Sequence, residues 1–233
     1  REIAHTGDLL RASGRTVRTL YIGGGTPTTL SAAQLRRLME ALRTHIDLTE
    51  LVEYTVEGGR PDTLDAEKLE TIAAMGCGRM SINPQTMKQS TLDLIGRRHT
   101  VEMVKEKYRL ARRLGFDNIN MDLIIGLPEE DINDVRATME EIKELAPDSV
   151  TVHSLAIKRA ARLNMFKEEY GGLKINNTPE MIAMSEACAR RLGMEPYYLY
   201  RQKNMAGNFE NVGYSLPGKA CIYNILIITQ RSY

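Results

Sequence analysis

Apolar and polar residues alternate along short segments of the chain, and amphipathic helical patterns lie between those segments. The short segments span residues 17–22, 52–57, 79–83, 118–124 and 149–155, and they predict five β-strands. Apolar stripes with helical spacing follow a capping box at Ser31 and Gln34 and recur at residues 65–75, 100–114, 131–145 and 178–192. Since strands and helices take turns along the chain, the pattern predicts an α/β fold with a parallel sheet.

Four of the five predicted strands carry a polar side chain at every second position. A parallel strand covered by helices on both faces would be apolar throughout. We therefore expect helices on one face only, with the polar face lining a solvated cavity, as in a sheet that curls into an open or partial barrel. The polar set is Glu53, Thr55, Glu57, Arg79, Ser81, Asn83, Asn118, Asn120, Asp122, Ser149, Thr151 and His153.

Ligands of parallel α/β proteins bind at the carboxyl ends of the strands. The first strand ends in the sequence YIGGGTPT, a glycine-rich turn of the kind that presents amide groups to phosphate. Two other strands end in Glu57 and Asp122, whose charges would repel an anion. These carboxylates suit a ligand with a ribose diol, an ammonium group or a sulfonium, although strand-end carboxylates also cap neighbouring loops.

Composition narrows the class of protein. The chain has 31 Lys and Arg residues against 30 Asp and Glu, so it offers no cationic excess for nucleic acid. Neither a membrane-spanning apolar run nor a signal-peptide pattern is present, and we expect a cytoplasmic protein without a membrane partner. Cys77, Cys188 and Cys221 are too scattered for local metal-ligand spacing, so no metal site is predicted.

Four motifs in order resemble those of the radical S-adenosylmethionine enzymes, and within them the oxygen-independent coproporphyrinogen III oxidases (coproporphyrinogen dehydrogenases). They are GGGTPT, SINPQ, IGRRHT and NMDLIIGLP, and the resemblance covers residues 17–155. It implies a partial (β/α) barrel of the radical S-adenosylmethionine type over residues 1–160. Residues 161–233 would form a C-terminal extension with a possible substrate-covering loop, which we expect from KNMAGNFENVGYSLPG.

The resemblance also implies the cofactor pocket. The glycines would line the methionyl group of S-adenosylmethionine instead of a phosphate, and a backbone contact to adenine would follow the last strand. A cofactor that carries a sulfonium, an ammonium and a carboxylate is balanced by two acidic groups beside one arginine. The implied cofactor-binding residues are Gly24, Gly25, Thr26, Glu57, Gln85, Arg97, Asp122 and Ala156.

The resemblance implies oxidative decarboxylation of the propionates of coproporphyrinogen III to vinyl groups, giving protoporphyrinogen IX in haem biosynthesis. Such enzymes use a [4Fe–4S] cluster on a three-cysteine loop after the first strand, together with an electron donor. No cysteine precedes residue 77 here, so we expect the first strand and the cluster loop to be missing and the chain to be an inactive fragment of a longer enzyme. Arg201 and Lys203 are candidate partners for the propionates, or a solvated surface pair.

Two other functions stay open. A haem chaperone shares the same barrel, but it is expected to carry a C-terminal histidine and tryptophan signature, and the chain has no tryptophan. A phosphate-binding barrel enzyme would hold an anion on Gly24 and Gly25.

Overall fold

A computed structural model describes residues 1–155, 173–201 and 209–230, with side chains to residue 228. The helices are α1 Glu2–Ser13, α2 Ala32–His45, α3 Ala66–Ala74, α4 Gln89–Leu94, α5 Val101–Arg113, α6 Ile132–Leu145, α7 Pro179–Arg191 and α8 Ile222–Gln230. The strands are β1 Thr19–Ile22, β2 Glu53–Gly59, β3 Arg79–Ile82, β4 Asn118–Ile125, β5 Ser149–Ser154, β6 Glu195–Tyr200 and β7 Asn211–Ser215. Single 3₁₀ turns lie at Pro27–Thr29 and Pro61–Thr63.

The seven strands form one sheet in the order β1-β2-β3-β4-β5-β7-β6. Strands β1 to β5 run parallel to one another, whereas β7 is antiparallel to both β5 and β6. The sheet curls into an open half-barrel. The predicted α/β fold and partial barrel are therefore confirmed.

Periodic segments were the easiest to predict. All five expected strands are present with their ends displaced by no more than two residues, and the expected helices begin and end within one residue of the predicted bounds, apart from α2, whose end the sequence left open. The Ser31 capping box is formed: its side chain accepts from the Gln34 backbone, and the Gln34 side chain accepts from the Ser31 N–H at 2.9 Å.

The segment after residue 161 holds structure that the sequence did not predict. Strands β6 and β7 add to the same sheet, and part of the expected covering loop is β7. Residues 203–208 of that loop lie outside the described residues. The sequence EPYYLY conceals β6 because its second residue is a proline and the strand has a register shift between Pro196 and Tyr198, so its pattern does not have period two.

The core lies between the apolar face of the sheet and the helices. Met80, Ile82, Ile119 and Met121 have no exposed surface and alternate with the polar set along β3 and β4. Leu35 and Met39 of α2 pack into the same cluster. The pleat thus directs apolar side chains to the helical layer and polar ones to the opposite face.

The polar face is covered in part by α8. The Glu53 carboxylate at the start of β2 accepts the backbone N–H groups of Ile222 at 2.6 Å and Tyr223 at 3.2 Å. The Tyr223 ring stacks on Tyr21 of β1, with 4.5 Å between the ring centroids. A negative charge at a helix N-terminus is favourable, so Glu53 anchors α8 across the open side of the half-barrel.

Close packing of β2 on β3 gives a test of the sheet. A Cβ at Gly58 would lie 2.4 Å from the Ser81 carbonyl oxygen, which belongs to backbone that cannot swing away. We expect Gly58→Ala to lower the free energy of unfolding by about 1–3 kcal/mol, the usual cost of overpacking, as measured by urea denaturation.

Gly78→Ala is the matched control, because nothing lies within 4 Å of a Cβ at that position. Equal stability of the two variants would contradict the close approach of β2 to β3.

Candidate functional site

The polar face of the sheet lines a cavity of about 590 Å³. Its walls come from the inward positions of β1, β3, β4 and β5, from β6, and from α8. The predicted solvated cavity on the polar face is therefore present. The polar residues that line it include Tyr21, Arg79, Ser81, Asn120, Asp122, Thr151, His153, Tyr198, Tyr200 and Arg201.

The glycine turn after β1 leaves open space beside its backbone. A Cβ at Gly23 would lie 2.4 Å from Cε1 of Tyr21 and 2.9 Å from Oε2 of Glu57, so that position has no room for a side chain. No atom of residues 1–155, 173–201 or 209–230 lies within 4 Å of a Cβ at Gly24 or Gly25, and Gly24 has a φ of +113°, which favours glycine. The backbone of Gly24 and Gly25 can thus be approached closely by a ligand.

Glu57 stands beside this turn at the carboxyl half of β2. Its Oε2 accepts the Gly24 N–H at 3.4 Å, which links the strand end to the glycine turn. Burial raises the pKa of the Glu57 carboxyl above its usual value, the charge of Asp122 raises it further, and the hydrogen bond from Gly24 opposes the rise. Burial and the same two carboxylates also raise the pKa of Tyr21, so its hydroxyl keeps its proton at neutral pH.

Asp122 projects into the cavity from β4. Its Oδ1 accepts the side-chain N–H of Asn120 at 2.7 Å, and its Oδ2 lies 3.8 Å from Nε2 of His153. Burial alone would raise the pKa of Asp122, yet the pKa lies below its usual range because His153, Asn120 and Thr151 favour the charged form. Asp122 is therefore a fixed negative charge on the cavity wall.

Gln85 and Arg97 complete the described part of the predicted pocket. Gln85 is buried with a φ of +71°, and its backbone pairs with β4, donating to the Asp122 carbonyl at 3.0 Å and accepting from Ile124 at 2.8 Å. The pKa of Arg97 lies below its usual value because of burial and the nearby Arg60 charge. The charges of Asp62 and Asp122 partly oppose this shift.

Of the predicted cofactor-binding residues in the described part of the chain, Asp122 lines the cavity, whereas the glycine turn, Glu57, Gln85 and Arg97 are not among its lining residues. Glu57 contacts the glycine turn, and Asp122 is within electrostatic reach of both Glu57 and Arg97. Thr26 lies in the turn with a φ of +62° and faces Gly59 at the end of β2. Ala156, and likewise Lys203, lies outside the described residues.

Sequence reasoning missed the aromatic wall of the cavity. Tyr198 and Tyr200 of β6 lie parallel to each other, with centroids 6.1 Å apart, and the Tyr200 hydroxyl lies 3.5 Å from Nδ1 of His153. Tyr21, two residues before the glycines, was not singled out either. The alternating tyrosines of YYLY were the available signal, but a strand had to be predicted there before they could be placed on one face.

The thiols of the chain do not form a cluster site. Within residues 1–155, 173–201 and 209–230, no three His, Cys, Asp or Glu side chains are placed to hold a metal ion. Cys77 donates to backbone carbonyls of β2 and β3, Cys188 lies on α7, and Cys221 contacts Glu53. These residues do not fit a [4Fe–4S] cluster, which requires converging thiolates. No helix of the described part has the length and hydropathy to cross a membrane.

Comparison with known proteins agrees with this geometry. The profile of the Radical SAM superfamily matches residues 1–142. The chain is 45% identical over 230 residues to the oxygen-independent coproporphyrinogen-III oxidase-like protein HemZ of Bacillus subtilis, covering 98% of this chain and 46% of HemZ. It is 32% identical to the heme chaperone HemW of Lactococcus lactis, covering 93% of this chain and 54% of HemW.

Among solved structures, the radical SAM enzyme coproporphyrinogen III oxidase (HemN) from Escherichia coli superimposes with a TM-score of 0.75 at 26% identity. The superposition covers 93% of this chain and 47% of that one. The chain thus spans about half the length of the relatives it matches.

A curled half-barrel of this topology, with a glycine turn after β1 and carboxylates on β2 and β4, is the fold of a radical S-adenosylmethionine barrel. The chain belongs to the Radical SAM superfamily and, within it, to the group of HemN-like and HemZ-like coproporphyrinogen oxidase relatives. Intact members of this superfamily use S-adenosylmethionine and a [4Fe–4S] cluster.

The charge of Asp122 can be tested by removing one of its donors. Asn120→Ala deletes the 2.7 Å hydrogen bond to Oδ1, so the pKa of Asp122 should rise. A carboxyl whose folded pKa is depressed stabilises the protein above its unfolded pKa of about 3.9 and loses that stabilisation as the pH falls through its folded pKa. Titration of the carboxyl carbon by NMR measures the shift directly.

Asn133→Ala on the exposed side of α6 is the control, since Asn133 contacts Arg136 and not the cavity. An Asp122 pKa that is the same in both variants would contradict the role of Asn120.

Proposed function

We propose that the chain is the cofactor-binding barrel of a radical S-adenosylmethionine enzyme. In the whole protein, this enzyme would convert propionate side chains of coproporphyrinogen III to vinyl groups by oxidative decarboxylation, giving protoporphyrinogen IX. The observation that carries the proposal is the open backbone at Gly24 and Gly25, where Glu57 accepts the Gly24 N–H and the charge of Asp122 acts on Glu57. The 45% identity to HemZ and the superposition on HemN support the substrate class.

The residues present fit S-adenosylmethionine. The cofactor has a methionyl group with an ammonium and a carboxylate, a sulfonium, and a ribose diol. Glu57 and Asp122 are suited to accept hydrogen bonds from the diol or the ammonium, and the Arg97 guanidinium to hold the carboxylate. Gly24, Gly25 and Thr26 would line the methionyl group, with Gln85 beside Asp122, and Ala156 would contact adenine. When bound and reduced by one electron, the cofactor supplies the radical that begins the chemistry of the superfamily.

The residues of this chain would bind and orient the cofactor and shield it from water. The lowered pKa of Asp122 favours an ionised hydrogen-bond acceptor, whereas the raised pKa of Glu57 leaves that carboxyl better able to hold a proton. Tyr198, Tyr200 and α8 narrow the cavity with aromatic and aliphatic surface. Such walls exclude water from a reactive species, which is the protein's part in cofactor-dependent chemistry. The thiolates for a cluster and the electron donor are not supplied by these residues.

A haem chaperone is the second candidate, favoured by the 32% identity to HemW over 93% of the chain. The two functions differ in the expected ligand. Spectroscopic titration with haem and with coproporphyrinogen III separates them, since a chaperone binds haem tightly in a stable complex and a dehydrogenase favours the porphyrinogen.

Removal of the Asp122 carboxylate should weaken binding of S-adenosylmethionine. We expect Asp122→Ala to raise the dissociation constant by the equivalent of roughly 1–3 kcal/mol, the usual cost of deleting a buried hydrogen-bond partner. The fold should persist because Asp122 faces the cavity and not the helical layer. Titration calorimetry gives the affinity, and thermal melts give the stability.

Asp117→Ala is the control, because the Asp117 carboxylate is 79% exposed and lies outside the cavity. An unchanged affinity in Asp122→Ala, combined with a lower melting temperature, would assign Asp122 a purely structural role.

Iron–sulfur reconstitution tests the other half of the cofactor set. Because Cys77, Cys188 and Cys221 are buried in separate contacts, this chain alone should not acquire the visible absorption of a [4Fe–4S] cluster. Stable incorporation of about four irons per chain would contradict this expectation.

A further inference from the structure

Arg79 is a buried cation that the proposed cofactor pocket does not use. It is the first residue of β3, is only 4% exposed, and lines the cavity on the polar face. The register pairs Arg79 with Asn118, which lies four residues before Asp122 on β4. At about 3.3 Å per residue, Arg79 therefore starts roughly 13 Å below the Asp122 level, at the floor of the cavity.

The Arg79 guanidinium has few partners. Its Nη2 donates to the Ser149 hydroxyl at 3.4 Å, and its buried Nε has no hydrogen-bond partner among the described residues. None of the carboxylates within the described ranges lies within 4.0 Å of it. A guanidinium with five donors in a dry site normally has a carboxylate or several oxygens around it, because an unpaired buried charge is costly.

Glu53 is the carboxylate whose charge acts on Arg79, but its oxygens already accept hydrogen bonds from other groups. They accept from the N–H groups of Ile222 and Tyr223 and from the Cys221 thiol at 3.5 Å. Burial lowers the pKa of the Arg79 guanidinium, and the nearby Cys221, Tyr197 and Glu53 groups raise it above its usual value. The α8 N-terminus thus takes the carboxylate that could otherwise pair with Arg79.

A second unpartnered group faces the same space. Ser81 is two residues further along β3, on the same side of the strand, and its buried hydroxyl has no hydrogen-bond partner within the described part of the chain. A guanidinium and a hydroxyl on adjacent inward positions present donors to one anion. Arg binds carboxylates with a planar pair of donors, which suits this group better than a spherical ion.

We propose that Arg79 and Ser81 form a carboxylate-binding subsite at the floor of the cavity, which receives a propionate-type arm of the substrate. This inference rests on the proposed function for the identity of the substrate, but not for the chemistry of the subsite. The carboxylates Glu57 and Asp122 near the carboxyl ends of the strands repel such an arm, whereas Arg79 attracts it. The cavity is thereby polarised and orients an acidic ligand.

Binding of coproporphyrin III, the air-stable oxidised form of the tetrapyrrole, tests the subsite. Its fluorescence anisotropy is titrated with the wild-type chain, Arg79→Gln and Arg79→Lys, and the tetramethyl ester is the uncharged probe. We expect Arg79→Gln to weaken binding of the acid by about 10-fold to 100-fold, as for a lost hydrogen bond to a charged group. Arg79→Lys should recover part of the loss, and the ester should bind both proteins alike.

Arg190→Gln is the matched control, since Arg190 is an exposed residue of α7 that pairs with Glu186. Equal affinity of wild type and Arg79→Gln for the acid would overturn the proposal. An equal loss for acid and ester would also overturn it, because the effect would then be one of shape.

A smaller probe separates the subsite from the proposed substrate. Titration with 3-phenylpropionate should shift the ¹⁵N–H resonance of Arg79 Nε in the wild-type chain, whereas 3-phenylpropionamide should not. This measurement needs no variant and stands if Arg79→Gln fails to fold. A shift without coproporphyrin binding would keep the subsite and refute the tetrapyrrole substrate, and no shift at saturating 3-phenylpropionate would refute the subsite.

Discussion

The two-residue period of the parallel strands is the constraint on which this molecule depends. Along β3 and β4, alternate side chains enter the helical layer, where Met80 and Met121 are fully buried. The side chains between them lie on the face of the sheet that borders the cavity. A one-residue register slip would move Asp122 into the core and Met121 into the cavity. The same pleat that stabilises the sheet therefore sets the positions of the functional groups, so core packing and site geometry are not independent in this protein.

Charge is distributed unevenly along the cavity. Glu57 and Asp122 lie near the carboxyl ends of the strands with Arg97, while Arg79 lies at the floor. Desolvation acts on all four groups; at Asp122 the neighbours outweigh it and lower the pKa, whereas the pKa of Glu57 is raised. The Asp122 charge makes ionisation of Glu57 more costly, and a cationic ligand near both carboxylates would relieve this repulsion. The charges of the site itself therefore favour a ligand that carries a sulfonium and an ammonium group.

Much of the fold follows from local signals, and the failures have physical causes. Strands with strict alternation and helices with Ser, Thr or Asp caps were predicted because period and capping are local properties. β6 was missed because Pro196 and a bulge interrupt its period, and α4 because its six residues are too few to show a stripe. The placement of Glu57 and Asp122 near the carboxyl ends of β2 and β4 followed from the strand pattern. The roles of Tyr21, Tyr198 and α8 did not, because they depend on which distant elements the curl brings together.

Helix α8 shows how a contact far along the chain changes the chemistry of the floor. The first residues of α8 bind the Glu53 carboxylate of β2. Arg79, on the neighbouring strand β3, is therefore left without a direct ionic partner among the described residues. If α8 were displaced, Glu53 would lose two backbone donors and would be free to approach Arg79. The helix therefore does more than cover apolar surface, since its N-terminus competes with Arg79 for one carboxylate. An acidic ligand is the group that can satisfy Arg79 while α8 keeps Glu53.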